Sequence, residues 1–423
     1  MQVSGARIHR VISICLTAMA ALCLFFKCIP DGKRNLGLAQ PFYSASGSKA
    51  GWVQSSTSLE SAIEGALAGG QNSKAETMLR TLLAQPQSNP DLLLNAGISF
   101  AQRGLYGDAA LAFERCLEEH PEIFEAHYDL ALSEFAQQRY AKAIAILGAA
   151  RPQNKRQRLA LCYMRGKVED ALGHSQEAGK DLAVAFSGDP ENEDYALDLG
   201  LYYIRHAGYI QATKVLAKSM TYHPDSLFVT LGLGLAQYLA GQTQDCLHTC
   251  HQLLSNHPDF APMRALLAFT LYMRGSFAAA EAASRQGLSS SHPYPYLYYV
   301  HVAALLKGQS TDYGPMLDEI HTAEEQIRNC SLCYFAESEI NECRGSNEAA
   351  VEDLEASIRM DPAFSDAWYR LAILYDKMGR PEMAAQARSR FEVLKKHKSQ
   401  SEDTLLQAEF VRALSREEAG PAH

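Results

Sequence analysis

The chain has 423 residues, of which 47% are hydrophobic and 21% are charged, and its formal net charge at pH 7 is −9. The sequence contains no long basic run, and nucleic-acid binding requires clustered lysine and arginine that displace counterions. We therefore expect no nucleic-acid partner, and the hydrophobic fraction is large enough for a continuous core.

The first 39 residues predict an export signal or a membrane anchor. Arg7 and Arg10 precede an unbroken apolar run, Val11–Phe26, which is somewhat shorter than the roughly 20 residues that span a bilayer. Gly37-Leu38-Ala39 resembles a cleavage site but lies far from that run. Cleavage, a tether through Val11–Phe26 and a buried first helix all stay open. Either of the first two places the rest of the chain outside the cytoplasm, as a periplasmic, secreted or membrane-anchored protein.

The next segment, residues 40–58, is rich in serine and glycine and predicts a flexible linker. It also carries Phe42, Tyr43 and Trp52, more aromatic surface than a linker needs. These side chains pack either on the following helices or on a partner.

A helical pair repeats through the remainder of the chain. Between Pro90 and Pro121, two runs with helical apolar spacing flank Gly104, and the small residues Ala96, Gly97 and Ala109 lie where the helices must approach closely. Proline ends helices, and prolines recur at steps of about 34 residues or twice that. Glycines that predict the turns keep the same step, and they are Gly104, Gly173, Gly241, Gly275, Gly308, Gly345 and Gly379.

This pattern resembles the tetratricopeptide repeat family. The last full unit carries the family motif as Trp368, Leu371-Ala372, Tyr375, Gly379 and Ala384. The resemblance covers residues 59–396 and implies an all-α, right-handed superhelical solenoid of about nine to ten helix-turn-helix units. Within it we expect a short, poor first helix in the first unit and a longer turn after Gly308. Residues 397–423 predict a charged capping helix and a frayed tail.

The resemblance also implies a groove lined by the first helix of each unit. In the middle of the chain this groove is predicted to be apolar and aromatic, and toward the C-terminus it becomes acidic at Glu339, Glu342, Asp366 and Asp376. A narrow superhelix whose interior is filled by some of these aromatic side chains stays open as an alternative. The residues predicted to contact a partner are Phe228, Leu231, Leu235, Tyr238, Phe269, Tyr272, Tyr298 and Val302.

Cysteine spacing offers two weaker signals. Cys330-Ser331-Leu332-Cys333 is a C-x-x-C sequence near a predicted helix start, where redox chemistry or a local disulfide is conceivable, but no βαβ pattern surrounds it. Cys246 and Cys250 fall on core positions of the repeat, and we interpret them as small apolar residues. We predict no metal site and no cofactor.

The sequence thus favours a protein that binds other proteins and catalyses nothing. It contains no nucleotide-binding loop, no nucleophile elbow and no zinc-protease motif, and the repeats leave no room for a separate catalytic domain. The expected function is a scaffold of the cell envelope that holds peptide segments of envelope proteins. The alternatives are an envelope assembly or polysaccharide-export factor, with Tyr294, Tyr296, Tyr298 and Tyr299 as a carbohydrate-stacking face, and a thiol redox protein using Cys330 and Cys333.

Overall fold

The computed structural model describes residues 56–85, 89–290, 293–327 and 330–395, and these residues form helices and short turns without a strand. The predicted export signal or anchor, most of the predicted linker and the predicted C-terminal cap lie outside the described residues. Within the described ranges, no helix combines the length and hydropathy needed to cross a bilayer.

The described helices follow one another along the chain as ten successive pairs, each called a hairpin here, in which odd-numbered helices come first and even-numbered helices second. The first five hairpins comprise α1 (Ser56–Ala68), α2 (Asn72–Leu83), α3 (Pro90–Ala101), α4 (Tyr106–Glu119), α5 (Phe124–Ala136), α6 (Tyr140–Ala149), α7 (Lys155–Ala171), α8 (Ser175–Gly188), α9 (Glu193–Arg205) and α10 (Tyr209–Met220). The last five comprise α11 (Leu227–Leu239), α12 (Thr243–Asn256), α13 (Ala261–Met273), α14 (Phe277–Leu288), α15 (Tyr296–Lys307), α16 (Tyr313–Gln326), α17 (Ser331–Cys343), α18 (Asn347–Met360), α19 (Ser365–Lys377) and α20 (residues 381–395).

The described chain divides into two compact units, residues 56–202 and residues 203–395. In the N-terminal unit the first helices α1, α3, α5 and α7 contact one another in succession. In the C-terminal unit α11, α13, α15 and α17 do the same. Each unit is therefore a stack of hairpins whose first helices share one layer, and the predicted all-α repeat fold is confirmed.

A residue in the left-handed backbone region ends every first helix or follows it closely. Seven of these residues are glycines, with φ between 70° and 83°. In the other three hairpins the position is held by Gln138 (φ 59°), Ala207 (φ 56°) and Gln309 (φ 62°). The ten positions are 34 to 36 residues apart, and they are 70, 104, 138, 173, 207, 241, 275, 309, 345 and 379.

One predicted turn glycine is wrong. Gly308 has an ordinary φ of −75° and caps α15, and the left-handed residue is Gln309. The sequence favoured Gly308 because glycine adopts positive φ without steric cost. The turn after α15 is longer than its counterparts, as predicted, and α16 begins at Tyr313.

Replacing a non-glycine residue at these turns by glycine is expected to stabilise the protein. Ala207 holds a left-handed conformation that costs an L-residue about 1–2 kcal/mol. Ala207→Gly relieves that strain but increases the entropy of the unfolded chain, so we expect a net gain of about 1 kcal/mol. Urea denaturation of the two proteins measures the difference, and a lower midpoint for the glycine variant would contradict it. The reverse substitution Gly241→Ala, at φ 74°, should lower the midpoint.

The first hairpin also differs from the prediction. Helix α1 has 13 residues, as many as α5, α11 or α13, so it is not a short helix. It begins at Ser56, inside the predicted linker. Ile63 and Leu67 of α1 are buried in the same core as Leu93 and Phe100 of α3. This packing supplies the stability that the weak helical pattern did not indicate.

The small residues predicted at the second hairpin occupy the expected contact. Ala96, Gly97 and Ala109 are buried between α3 and α4. A Cβ placed on Gly97 would lie 2.5 Å from the ring of Phe113, itself fully buried. The glycine is therefore required by the close approach of α3 to the α4 aromatic ring.

Candidate functional site

The candidate site is the layer formed by α11, α13, α15 and α17 in the C-terminal unit, called here the inner layer. Each of these helices contacts the next first helix in the chain. Equivalent positions, counted from the left-handed turn residue, therefore recur along the layer. This arrangement decides which side chains are available to a partner.

The eight predicted contact residues differ strongly in exposure. Five are buried among their neighbours, and three are half-buried. A buried side chain supports the shape of a surface but does not meet a partner without rearrangement. The buried five are Leu231, Leu235, Phe269, Tyr272 and Val302, and the half-buried three are Phe228, Tyr238 and Tyr298.

The predicted register is wrong by one residue on α15. Counting from Gln309, the true turn residue, the positions equivalent to Leu231 and Leu235 are Tyr299 and Ala303. Tyr298 and Val302 were predicted from offsets counted from the start of the unit, which place both positions one residue too early. Burial is the main cause of the raised pKa of Tyr298, and the negative charge of Glu319 on α16 raises that pKa further. Tyr298 therefore lies near the second helix of its own hairpin.

Aromatic rings join neighbouring first helices of the inner layer. The rings of Tyr238 on α11 and Phe269 on α13 meet edge-on with centroids 5.4 Å apart. Burial raises the pKa of Tyr299 well above its usual value, and Tyr272 and Glu339 raise it further. The layer thus continues from α13 across α15 to α17, and its apolar middle ends at charged residues.

Arg370 on α19 is the centre of that charged end. Its guanidinium lies 2.5 Å from Glu339 and 3.0 Å from Glu342, both on α17. It also lies over the ring of Phe335, 5.8 Å from the centroid. Burial acts to lower the pKa of Arg370, but the two carboxylates outweigh it and the pKa is raised. Glu339 is only 6% exposed, so this charge pairing neutralises a buried carboxylate.

Sequence reasoning predicted Glu339 and Glu342 in this region but missed Arg370. Arg370 does not occupy one of the positions on the first helix of a unit that are predicted to line the groove. The signal available in the sequence was the pair of acidic residues on an inner-layer helix, since buried carboxylates require a cation nearby.

The N-terminal unit has a polar cluster of its own on the first helices. The Tyr163 hydroxyl donates to Asp198 at 2.5 Å, and Lys167 lies 3.0 Å from the same carboxylate. The Lys167 ammonium is also 5.3 Å from the Tyr163 ring centroid and 5.8 Å from that of Phe135. The lysine is largely buried, so the cluster is part of the packing between the first helices of this unit.

Family models for the tetratricopeptide repeat match residues 62–118, 94–156, 229–259 and 354–386, in both units. Each matched range lies on the helical hairpins described above. The chain is a tetratricopeptide repeat protein. Proteins of this family are generally non-catalytic and bind other proteins, and the predicted family membership is confirmed.

Several solved structures are similar to this tetratricopeptide repeat protein. A tetratricopeptide repeat protein from Parabacteroides merdae is 17% identical, with 60% of this chain and 97% of that chain covered and a TM-score of 0.45. A thermophilic protein of the family from Thermus thermophilus is 21% identical, with coverages of 44% and 100% and a TM-score of 0.36. The MamA protein from Desulfovibrio magneticus is also 21% identical, with coverages of 41% and 98% and a TM-score of 0.34. Among curated proteins, none matches this chain significantly.

The cysteines of this tetratricopeptide repeat protein are mostly enclosed. Cys330 and Cys333 form a disulfide at the start of α17, and both are buried. The Cys330 sulfur also accepts the Cys333 backbone N–H at 3.2 Å, which caps the helix. Exchange requires a thiolate to reach one of the sulfurs, so burial disfavours the redox alternative. Cys246 and Cys250 are free and fully buried, as their core positions indicated.

The tyrosines that were considered as a carbohydrate-stacking face are poorly placed for it. Tyr294, Tyr296 and Tyr299 are buried, and only Tyr298 is half-buried. The rings of Tyr294 and Tyr296 lie against each other with centroids 5.8 Å apart. Sugar stacking needs an open ring face, so this cluster is part of the packing of the eighth hairpin.

Proposed function

We propose that this protein is a non-catalytic scaffold that holds partner proteins by peptide segments bound along the inner layer of its C-terminal unit. The observation that carries the proposal is the continuity of this layer, which changes from aromatic at α11 and α13 to charged at α17. An inner layer of this kind suits an extended or helical peptide with apolar side chains at one end and polar groups at the other.

The residues proposed to contact a peptide are identified by their exposed surface and not only by their position in the repeat. Phe228 and Tyr238 on α11 are half-buried, so each presents part of its surface to a ligand. Leu231 and Leu235 on the same helix are buried, and the ring of Phe269 packs edge-on against Tyr238. A surface fixed in this way lowers the ordering cost of binding, because the protein's side chains are already immobilised.

A panel of displayed peptides tests this function. We expect the full-length protein to select peptides with apolar anchors, and Tyr238→Ala to weaken the selected peptide about tenfold or more, as hot-spot aromatics do. Fluorescence anisotropy with the labelled peptide gives the affinity. Tyr222→Ala is the matched control, because Tyr222 is 43% exposed and lies between α10 and α11, outside the inner layer. Equal affinity of the Tyr238 variant and the unmodified protein would contradict the proposal.

We further propose that the scaffold acts in the cell envelope, with its repeats outside the cytoplasm and envelope proteins as partners. The support is the basic start and the apolar run Val11–Phe26. N-terminal sequencing and fractionation of the protein from its own host test this. A chain beginning at Gln40 or held in the membrane agrees with the proposal, whereas an intact soluble cytoplasmic chain contradicts it.

A further inference from the structure

We propose that His321, Glu324 and Glu337 form a binding site for one divalent transition-metal ion, of the Zn²⁺ class, that links the eighth and ninth hairpins. Each residue offers one ligand atom, and these atoms all lie within 4.8 Å of one another. The site is independent of the inner-layer peptide surface and adds a second binding activity to the protein.

Two successive helices supply the three ligands, and a third helix packs against the second of them. His321 and Glu324 are three residues apart on α16, so their side chains share one face of that helix. Glu337 lies on α17, which packs against α16. Asp353 on α18 stands behind the site and accepts a hydrogen bond from the Asn341 side chain of α17 at 2.8 Å.

The ligand atoms are already close to a coordinating arrangement. The His321 Nε2 atom is 2.9 Å from Glu337 Oε1. Ligands around an ion at metal–ligand distances near 2.1 Å are about 3.0–3.5 Å apart. The third atom therefore has to move by about 1–2 Å. His321 is exposed and Glu324 half-buried, so both can rotate to close the set around the fixed Glu337.

The charge of the cluster is not balanced by the protein. Glu337 is 8% exposed, and within the described chain no lysine or arginine forms an ion pair with Glu324, Glu337 or Asp353. The Oε1 atom of Glu324 has no accessible surface and no hydrogen-bond partner among the described atoms. Buried carboxylates are stable when paired with a cation or bound to a metal, and among the residues that the structure describes His321 alone forms an ion pair with this cluster.

The electrostatics of Glu337 agree with this geometry. Burial, together with the neighbouring Glu324 and Asp353, raises the pKa of the Glu337 carboxyl to about 7 against the opposing effect of His321. Carboxyl groups held together without a compensating charge repel one another, and a divalent cation removes that repulsion.

The donor set indicates the class of ion. One imidazole nitrogen with two carboxylates suits Zn²⁺ and its transition-metal neighbours, whereas Mg²⁺ and Ca²⁺ prefer oxygen ligands alone. Three protein ligands leave at least one coordination position for water. The sequence did not predict this site because its residues lie on separate helices and match no ligand-spacing motif.

Metal titration of the full chain, first stripped with chelator, tests the proposal. By calorimetry we expect one Zn²⁺ per chain at this site, unaffected by millimolar Mg²⁺. His321→Ala and Glu337→Gln should each weaken that binding about tenfold or more. Glu325→Gln is the control, because Glu325 is an exposed acidic residue on the same helix that is not in the cluster. At saturating Zn²⁺ the thermal midpoint should rise by several degrees, since the ion binds only the folded chain.

Two further measurements keep the outcome decisive. Co²⁺ bound in place of Zn²⁺ should give a spectrum without a thiolate charge-transfer band, because the ligands are nitrogen and oxygen. His321→Ala changes an exposed side chain, and circular dichroism of each variant establishes that it is folded before its affinity is compared. Absence of saturable binding, a thiolate band, or equal affinity of His321→Ala and the unmodified protein would overturn the site.

Discussion

Gly97→Ala is expected to destabilise the N-terminal unit by about 1–3 kcal/mol, the usual cost of overpacking a tight core. The added methyl would lie 2.5–2.9 Å from three ring atoms of Phe113. That ring cannot move aside without displacing its neighbours, because Phe113 is fully buried between α3 and α4. The two helices must separate or the ring must leave its rotamer. Urea denaturation followed by circular dichroism measures the loss as a lower midpoint.

Gly148→Ala is the matched control with the opposite expected sign. Gly148 lies near the end of α6 and is exposed, and apart from its chain neighbours and the adjoining helix backbone no atom lies within 4 Å of a Cβ placed there. Alanine there gains helix propensity without a clash, so stability should rise by about 0.5–1 kcal/mol. Equal effects of the two substitutions would mean that backbone entropy, not the contact with Phe113, explains Gly97.

The periodic part of the fold was predictable because it depends on local chemistry. Proline ends helices and glycine adopts left-handed turns, and both recur every 34 or so residues in this sequence. Where the turn residue is Gln138 or Ala207, that signal disappears although the structure keeps the turn. Packing of the adjoining helices imposes a conformation there that the residue itself disfavours, and single-residue preferences cannot reveal it.

The candidate sites were less predictable because they depend on contacts between hairpins. Offsets counted from the start of the unit gave Tyr298 at an inner-layer position, whereas counting back from the turn residue Gln309 gives Tyr299. Helical faces turn by about 100° per residue, so a shift of one residue moves a side chain to a different neighbour. Arg370 and the His321 cluster join residues on different helices, and no sequence spacing encodes which residues meet across hairpins.

Arg370→Ala is expected to destabilise the C-terminal unit by about 2–4 kcal/mol. The substitution leaves Glu339, which is 6% exposed, with Lys307 at 3.3 Å as its remaining partner. It also removes the contact between the guanidinium and the ring of Phe335. Losing one member of a buried pair is costly because the other charge stays out of water, here with only the partly exposed Lys307 to compensate it. The shift in the denaturation midpoint gives the value.

Arg388→Ala separates this effect from the loss of any arginine. Arg388 pairs with Asp376 at 2.9 Å, but both side chains are about half exposed, so removal should cost less than about 1 kcal/mol. A second comparison replaces both buried partners, as Arg370→Met with Glu339→Met. With neither charge left to desolvate, the double variant should recover most of the stability lost by Arg370→Ala. If the double variant is instead less stable than Arg370→Ala, burial of an unpaired carboxylate does not explain the destabilisation by Arg370→Ala. In that case the interaction between Arg370 and Glu339 itself contributes favourable free energy to folding.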